Sequence, residues 1–546
     1  MKLKNILYSM MMGTAVLTGT TSCVSDLDQY PHTETTSKDV YTSLANYEAV
    51  LGKIYAAMVT SGQGKGGDNK DMESVLNKGA GFDYMRMFIN MQECGTDEFA
   101  STWLTGEQTT GLTYLSWDAN DAWVSDMYYR IYYNIALCNE FLRNANSASF
   151  SGADAEKMKV YKAEVRFMRA LFYYHALDFY RNIPMVTEND PVGSYIPPRY
   201  TPQQTFDYIE SELKDCVGDM LPASTCPYGQ ASQGAAYTLL AKLYLNSEVY
   251  TGVPKYTECK EACEKVMSMG YSLEDNYSKL FNADNDKRTN EIIFALPVSA
   301  EHTVSWGSST YLVCGQVSMS NANQNVADYG VTAGWSEFRL RPEFVDKFTQ
   351  TDIDGNGDKR CKFFTNGQSK DVTSMTDETA GYLSEKWSNL KDDGTTASNT
   401  GDAGVDTDFP LFRLADVYLM YAECVVRLHN DWDNWAGGSD ATDPTVIASR
   451  KQGAIYWINL LRERSNASDV WASNFADDDA FLQFILDERA RELYHEGYRR
   501  TDLIRYGQFT TNKYIWQWKG GTHDGQAVDS KYNIYPIPNT ELTANP

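Results

Sequence analysis

The fold of this chain is decided by residues 163–187, which read AEVRFMRALFYYHALDFYRNIPMVT. Apolar side chains recur there every three or four residues, which predicts an α-helix with one buried face. The residues on that face are Val165, Met168, Leu171, Phe172, His175 and Phe179. Pro184 ends the pattern, because a proline ring removes a backbone donor and clashes with the preceding turn. Since His175 lies among apolar neighbours, we expect a core histidine rather than a ligand.

The same spacing extends to both sides of this segment and predicts a mainly helical protein. A helix over Asp121–Ala145 precedes one over Ala153–Tyr180, and a strand is predicted over Glu291–Pro297. Repeated helix-turn-helix units of this length indicate a tetratricopeptide-type scaffold, although the strict repeat pattern is matched only weakly. The other predicted helices are Val40–Val59, Gln203–Val217, Ala231–Tyr250, Tyr256–Met269, Phe409–Leu428, Ala448–Arg464 and Asp477–His495.

An irregular region of loop and short strand, residues 299–408, separates the two helical blocks. Loops of this length in a compact protein usually carry function. Trp306 and Trp335 lie in it among glycine, serine and asparagine residues. An exposed indole can pack against the flat apolar face of a ligand, so we interpret this region as the ligand-binding part. The alternative is that each tryptophan fills a local loop core, because tryptophan is highly buried on average.

Four other tryptophans are not assigned to a ligand. Trp516 and Trp518 lie two residues apart in a terminal loop, and we expect both to pack against their neighbours. Trp432 and Trp435 form a second close pair, for which the sequence does not distinguish a surface position from a core position.

The charge balance excludes two classes of function. Among 546 residues, 48 are Lys or Arg and 73 are Asp or Glu, which gives a net charge of −25. A surface this acidic repels phosphate backbones, so no nucleic-acid partner is expected. A polybasic attachment to a membrane surface is excluded for the same reason.

The N-terminus predicts export and a lipid anchor. A basic start precedes an apolar run, Ile6–Leu17, which is too short to span a bilayer permanently. Small residues and Cys23 follow, an arrangement that resembles the cleavage box of a bacterial lipoprotein. We therefore predict a signal peptide over residues 1–22, a tether over residues 23–40 and membrane attachment through the lipid alone. Ordinary signal cleavage, with Cys23 incidental, is the alternative.

One segment could hold a metal ion: residues 352–358, which read DIDGNGD. Position 12 of this calcium-type loop is Phe363 rather than a bidentate glutamate, so the site is incomplete and a solvated acidic turn is the alternative. No other cofactor is expected, because six histidines and no CxxC pair give no support for zinc. The side chains that alternate along the loop and could bind calcium are Asp352, Asp354, Asn356 and Asp358.

Three carboxylates, Glu488, Glu492 and Glu496, follow one another at helical spacing. Paired carboxylates could indicate a glycoside hydrolase. However, Arg489 and Arg491 share the helix, so a network of arginine–glutamate ion pairs that joins helices explains them better. No nucleotide-binding, serine-hydrolase or HExxH motif occurs in the chain.

Five segments of the chain resemble marker segments of the SusD/RagB family of Bacteroidetes surface glycan-binding lipoproteins. The resemblance covers nearly the whole chain after Cys23, in the family's order, and is closest to a starch-binding member. The segments are Ala163–Thr187, Ala235–Leu245 (AAYTLLAKLYL), Asp408–Glu423 (DFPLFRLADVYLMYAE), Asp487–Tyr506 (DERARELYHEGYRRTDLIRY) and Tyr535–Pro538 (YPIP).

The resemblance implies a helical scaffold with tetratricopeptide units and attachment to the outer membrane surface through Cys23. It also implies a partner, a SusC-like TonB-dependent transporter over which the protein acts as a lid. The implied activity is glycan binding by aromatic side chains without catalysis. The regions it implies are residues 41–298 and 409–546 for the helical parts and residues 299–408 for the ligand-binding insert.

The resemblance also implies a set of binding residues. Trp306 falls where the starch-binding member has a tyrosine, and Trp335 and Arg86 match a tryptophan and an arginine. A third aromatic position falls at Ser101 and a binding asparagine at Gly106, so this half of the site differs. Trp103 matches another tryptophan and could substitute for the missing ring.

We therefore expect a non-catalytic protein that captures an oligosaccharide or polysaccharide and delivers it to a transporter. A starch-like α-glucan is favoured, and a fructan or a host glycan is the alternative. Two rival functions remain from the sequence: a glycoside hydrolase, and a helical scaffold that binds only its protein partner.

Overall fold

The structure is a computed structural model that describes residues 37–64, 71–72, 75–76, 82–193, 195–401, 404–433 and 444–545. The predicted signal peptide, Cys23 and Trp435 lie outside these residues. The chain divides into two compact units, residues 1–50 and residues 51–546. In the first unit the described residues are mainly helical, and the second unit contains all the segments discussed below.

The described residues are mainly helical, which confirms the predicted fold class. In chain order the helices are α1 (Ser37–Val40), α2 (Leu44–Ala56), α3 (Tyr84–Glu93), α4 (Thr110–Tyr114), α5 (Ala122–Ser147), α6 (Ala153–Tyr180), α7 (Pro202–Cys216), α8 (Gln233–Leu245), α9 (Ser247–Thr251), α10 (Tyr256–Met267), α11 (Ser308–Gly315), α12 (Pro342–Val345), α13 (Gln350–Ile353), α14 (Leu414–Arg427), α15 (Pro444–Arg450), α16 (Ala454–Arg464), α17 (Asp478–Leu493), α18 (Arg499–Arg505) and α19 (Asn539–Ala544).

The strands are short and pair two by two in antiparallel fashion. The first pairs with the fifth, the second with the third, the fourth with the eighth and the sixth with the seventh. They are β1 (Ala100–Ser101), β2 (Ile183–Pro184), β3 (Arg199–Tyr200), β4 (Ile292–Leu296), β5 (Phe338–Arg339), β6 (Phe363–Phe364), β7 (Leu383–Ser384) and β8 (Phe409–Arg413).

Successive helices pack against one another in the helical parts. Helix α6 packs against both α5 and α7, and α14 packs against α10, α16 and α17. Helix α6 spans the residues that the sequence predicts, and its apolar face is buried. His175 is buried in this core, where its Nδ1 lies 2.6 Å from the Tyr84 hydroxyl oxygen. Burial lowers the pKa of His175 to about 3, so the ring is a neutral core group, as expected.

Two predicted helices are each divided in the structure: Ala231–Tyr250 into α8 and α9, and Ala448–Arg464 between α15 and α16. Two further elements differ in type from the sequence prediction. Residues 409–413 form strand β8 rather than the start of a helix. Pro410 disfavours a helical conformation at the residue before it, and pairing with β4 satisfies the backbone instead. Inside the region predicted as irregular, α11 forms a fully buried helix. Residues 299–408 thus contain a buried helix of their own.

The nine cysteines among the described residues are all free thiols. Within the part of the chain that the structure describes, every helix is too short or too polar to cross a membrane.

Candidate functional site

Three tryptophans that are distant in the sequence belong to one hydrogen-bonded group in the structure. The indole Nε1 of Trp103 donates to the carbonyl oxygen of Trp335 at 2.9 Å. Arg86 Nη1 donates to the carbonyl oxygen of Trp306 at 2.8 Å, and the Arg86 guanidinium lies 5.9 Å from the Trp335 ring centroid. We call Trp103, Trp306 and Trp335 the tryptophan cluster.

The pairing of β1 with β5 sets the position of Trp103 relative to Trp335. Ser101 pairs with Phe338, and Thr102 N–H donates to the Glu337 carbonyl at 2.8 Å. On the other side, Trp335 N–H donates to the carbonyl at the end of α11, that of Cys314, at 2.9 Å. The backbones of two tryptophans are therefore fixed by regular hydrogen bonds.

The loop that carries Trp306 is held by one buried carboxylate, Asp83. This residue caps α3, and its Oδ1 accepts from Arg86 N–H at 2.9 Å and from Ser308 N–H at 3.1 Å. Its Oδ2 accepts from the Ser305 hydroxyl at 2.6 Å. Burial raises the pKa of Asp83, and these hydrogen bonds offset part of the effect. A Cβ atom at Gly307 would lie 2.2 Å from Asp83 Oδ1, so glycine is required there.

The tryptophan cluster differs from the other tryptophans in what its rings contact. Trp103 and Trp306 remain 40% and 37% exposed, and Trp335 is half-buried. No aromatic ring among the described residues stacks on any of the three indoles, whereas most other tryptophans pack on neighbouring rings. These packed tryptophans are Trp117, Trp123, Trp387, Trp432, Trp457, Trp516 and Trp518.

Two of these packed residues confirm a prediction. Trp516 is buried, and the Trp518 indole donates to the Val372 carbonyl at 2.7 Å. Trp432, which the sequence left undecided, packs on Phe481 and donates to Asp478 at 3.0 Å.

Arg86 lies in the site, but it is not placed as expected. It is 2% exposed, and its Nη2 donates to Glu337 Oε1 at 3.0 Å while Nη1 holds the Trp306 backbone. The guanidinium also lies 3.9 Å from the Phe82 ring centroid and 4.3 Å from that of Tyr311. The predicted direct contact with a ligand does not fit this burial. Arg86 is a positioning residue beneath the cluster.

The two positions at which the sequence departs from the starch-binding pattern offer no side chain to a ligand. Ser101 is buried, and its hydroxyl lies 2.9 Å from that of Thr109. A Cβ atom at Gly106 would lie 3.1 Å from the Trp103 ring. Sequence reasoning missed the next residue, Glu107, whose carboxylate lies 3.9 Å from Arg86 Nη2. Its position directly after Gly106 is the signal that could have identified it.

At the candidate calcium loop, the described side chains bond to their own neighbours. Among the described residues, no group of three or more metal-ligating side chains converges. Asp352 Oδ2 accepts from Thr349 N–H at 2.7 Å, and Oδ1 accepts from Asp358 N–H at 2.7 Å. Asp358 instead forms an ion pair with Arg360 at 2.6 Å, and Asp354 Oδ1 accepts from Gln350 at 2.8 Å. The alternative, an acidic turn closed by its own hydrogen bonds, describes these residues.

The three glutamates at helical spacing form the predicted ion network. Arg413 lies 2.7 Å from both Glu492 and Glu496, and Arg360 lies 2.8 Å from Glu488. All five side chains are fully buried. Burial alone would raise the pKa of Glu488, but Arg360, Arg491 and Arg462 outweigh it and hold the pKa at about 2. We call these five residues the ion network.

Comparisons with known proteins place this geometry in a family. A family model described as "SusD family" matches residues 290–546, and one described as "Starch-binding associating with outer membrane" matches residues 27–245. The chain is 32% identical to the starch-binding protein SusD of Bacteroides thetaiotaomicron, over 100% of this chain and 98% of that protein. It is 25% identical to a SusD-like protein of Formosa agariphila, over 78% of this chain and 77% of that protein.

Solved structures share the fold at low sequence identity. A SusD-like carbohydrate-binding protein from Bacteroides fragilis superposes with a TM-score of 0.70 at 17% identity, over 92% of this chain and 99% of that one. Surface glycan-binding protein A from Bacteroides thetaiotaomicron, in complex with laminarihexaose, superposes with a TM-score of 0.64 at 16% identity, over 92% and 97%.

Proposed function

The chain belongs to the SusD family, and from that membership we propose that it is a non-catalytic protein that captures a glycan. Its place is the outer membrane surface, to which a lipid on Cys23 attaches it. It delivers the captured oligosaccharide or polysaccharide to a SusC-like TonB-dependent transporter. A starch-like α-glucan is the favoured ligand, since the relative at 32% identity over the whole chain is a starch-binding protein. A fructan or a host glycan remains the alternative.

The observation that carries this proposal is the tryptophan cluster, whose rings have no stacking partner among the described residues. A sugar ring presents a flat face of C–H groups, and covering that face with an indole removes apolar surface from water. A tryptophan side chain has few rotatable bonds, so little conformational entropy is lost. Rings held in place by backbone hydrogen bonds lose even less conformational entropy, because they are positioned before the glycan binds.

A hydrolase is disfavoured by the state of the carboxylates that could have served it. A glycosidase needs one carboxyl group held as an acid and a second as a nucleophile or base, both able to reach the substrate. In the ion network each glutamate is fully buried and pairs with arginine. These carboxylates support the scaffold rather than chemistry on a sugar.

Gel retardation on a panel of polysaccharides tests the proposal. Starch, fructans, xylans, mannans and host glycans are each cast into native gels, and the wild type is compared with the Trp306→Ala/Trp335→Ala double variant. Trp471→Ala is the matched control, because this tryptophan is also exposed but belongs to another segment. We expect the wild type and the control to be retarded by at least one glycan and the double variant to migrate freely.

The same samples separate the rival functions. Release of reducing sugar by the wild type would indicate a hydrolase. Retardation that is unchanged in the double variant would remove the tryptophan cluster as the binding site. No retardation of the wild type by any glycan would favour a scaffold that binds only protein.

A further inference from the structure

We infer that the carboxylate of Glu107 binds glycan hydroxyls at the tryptophan cluster and, together with Glu337, makes the site select neutral over anionic glycans. This inference rests on the proposed function, because it concerns the ligand of the same site. It is carried by the position of Glu107, by its missing hydrogen bonds and by the balance of charge around Arg86.

The backbone of Glu107 is fixed beside the cluster. Its N–H donates to the Trp103 carbonyl at 2.9 Å, which places Glu107 one turn after that exposed ring. Its own carbonyl accepts from the Trp123 indole at 2.7 Å. Trp123 in turn stacks on Phe82, over which the Arg86 guanidinium lies. The backbone that carries the Glu107 side chain is therefore held in place beside Trp103.

The carboxylate of Glu107 has a charge partner, but its Oε2 has no hydrogen-bond donor among the described residues. Its nearest cation, Arg86 Nη2, lies at 3.9 Å, beyond hydrogen-bond distance, while the same nitrogen donates to Glu337 at 3.0 Å. Glu107 Oε2 is buried without a donor, and 22% of the side chain remains exposed. A carboxylate left partly desolvated and unbonded is costly, so this one requires a donor from outside the chain.

Other polar atoms around the cluster are in the same condition. The Thr102 and Ser308 hydroxyls are buried without a hydrogen-bond partner in the described part of the chain. Thr102 directly precedes Trp103, and Ser308 follows Trp306 by two residues. These two hydroxyls therefore lie within two residues of a cluster tryptophan along the chain. A ligand rich in hydroxyl groups can both donate to and accept from such a set.

Gly106 explains why this role falls to its neighbour. A side chain at position 106 would press on the Trp103 ring, since even a Cβ atom would lie 3.1 Å from it. Glycine therefore leaves room for the Trp103 ring, but it supplies no polar side chain to the site. Glu107, whose backbone is held by Trp103 and Trp123, supplies a polar side chain instead.

The charge around Arg86 decides which glycans are accepted. One cation, Arg86, faces two anions, Glu107 and Glu337, so these three side chains carry one net negative charge. The chain as a whole carries −25. A uronate or sulfate placed on the cluster would face an unpaired negative charge at short range, whereas a hydroxyl would gain an acceptor. Repulsion of this kind discriminates between ligands of the same shape.

Matched probes test this directly: soluble starch and inulin, each beside a derivative carboxylated at C6. Retardation constants are measured for the wild type, Glu107→Gln and Glu107→Ala, and for Glu301→Gln, an exposed glutamate, as the control. We expect the wild type to bind one neutral glycan at least about tenfold better than its carboxylated form. Glu107→Ala should weaken neutral binding about tenfold, because its hydroxyl acceptor is gone.

Glu107→Gln keeps a carbonyl acceptor and removes the charge. Its affinity for the neutral glycan should lie within about threefold of that of the wild type. The ratio of its affinities for the neutral and the carboxylated glycan should be smaller than in the wild type. This variant also guards against a folding defect in Glu107→Ala, as does a thermal unfolding curve for each protein.

Two outcomes would overturn the inference alone, and a third would overturn it together with the proposed ligand. Equal wild-type binding of neutral and carboxylated forms would remove the selection. Neutral binding that is unchanged in Glu107→Ala, while the double tryptophan variant loses it, would remove Glu107 alone. If the wild type retains neither starch nor inulin, both the inference and the glycan assignment fail.

Discussion

The tryptophan cluster and the ion network are both built around a buried arginine, but they leave their partners in opposite states. In the ion network, Arg413 pairs with Glu291, Glu492 and Glu496, all fully buried. In the cluster, Arg86 holds a backbone carbonyl and one carboxylate, and leaves Glu107 unbonded beside rings that stack on nothing described. The carboxylates around Arg413 are saturated and join elements of the scaffold, whereas Glu107 keeps one oxygen without a donor, which supports the proposed contact with a ligand.

Removing Arg413, the central cation of the ion network, should destabilise the scaffold. Arg413→Ala removes one cation from three buried carboxylates, which keep Arg360, Arg464 or Lys386 as their remaining partners, and we expect a loss of about 3–5 kcal/mol in the free energy of unfolding. Chemical denaturation measures this. Lys159→Ala, which removes an exposed ion pair with Asp219, is the control and should unfold like the wild type. Equal behaviour of the two variants would contradict a structural role for the ion network.

Acid should weaken the same region through Glu488. Its folded pKa of about 2 lies below its ordinary value of 4.5, so its contribution to stability is present above pH 4.5 and is lost as the pH falls towards 2. Glu488→Gln should remove up to about 3 kcal/mol of this pH dependence. Denaturation of both proteins between pH 2 and 7, roughly the range that the linkage covers, provides the measurement. Parallel curves for the two proteins would show that Glu488 is not held by its arginines.

The tryptophan cluster can be disturbed through the loop that carries Trp306. Gly307→Ala forces a Cβ atom to within 2.2 Å of Asp83 Oδ1, which cannot yield without releasing α3 and Ser308. We expect a cost of about 1–3 kcal/mol and weakened glycan binding, because Trp306 is displaced. Gly218→Ala is the control, since its added atom meets nothing within 4 Å. Normal binding and stability in Gly307→Ala would show that the loop is not fixed by Asp83.

The smallest effect is expected from removing the hydrogen bond that joins Trp103 to Trp335. Trp103→Phe keeps a ring but removes the hydrogen bond to the Trp335 carbonyl. A loss of about 0.5–1.5 kcal/mol in glycan binding is expected, or a few-fold in Kd. Calorimetric titration of the variant beside Trp471→Phe measures it. Unaltered affinity would mean that this hydrogen bond does not position either ring.

Most of the scaffold could be predicted from the sequence because helical periodicity is local. Helix α6 has the predicted bounds, and α5 and α7 differ by one or two residues. Strand β8 was predicted as helix because its partner β4 lies more than a hundred residues earlier in the chain. Helix α11 was missed because it is buried all round, so its sequence shows no polar face.

The site could be predicted only in part. Trp306 and Trp335 were identified by their place in the irregular region, and Trp103 and Arg86 by the resemblance to a family. The structure brings all four together. The position of Glu107 after Gly106 could have drawn attention to it, but its role depends on contacts across the fold, with Arg86 and Trp123, that no local pattern contains. The burial of Arg86 depends on the same contacts, so its supporting role could not be predicted either.

One measurement tests the central claim most directly: calorimetric titration of the wild type and of Trp306→Ala/Trp335→Ala with oligosaccharides of the glycan that retards the wild type most, maltoheptaose if that glycan is starch. The account predicts at least about a hundredfold weaker binding by the double variant, roughly a tenfold loss for each ring. The denaturation midpoint should fall only slightly, since Trp306 is 37% exposed, Trp335 is half-buried and neither indole stacks on a described aromatic neighbour. Equal affinity in the two proteins, with both folded, would contradict the account.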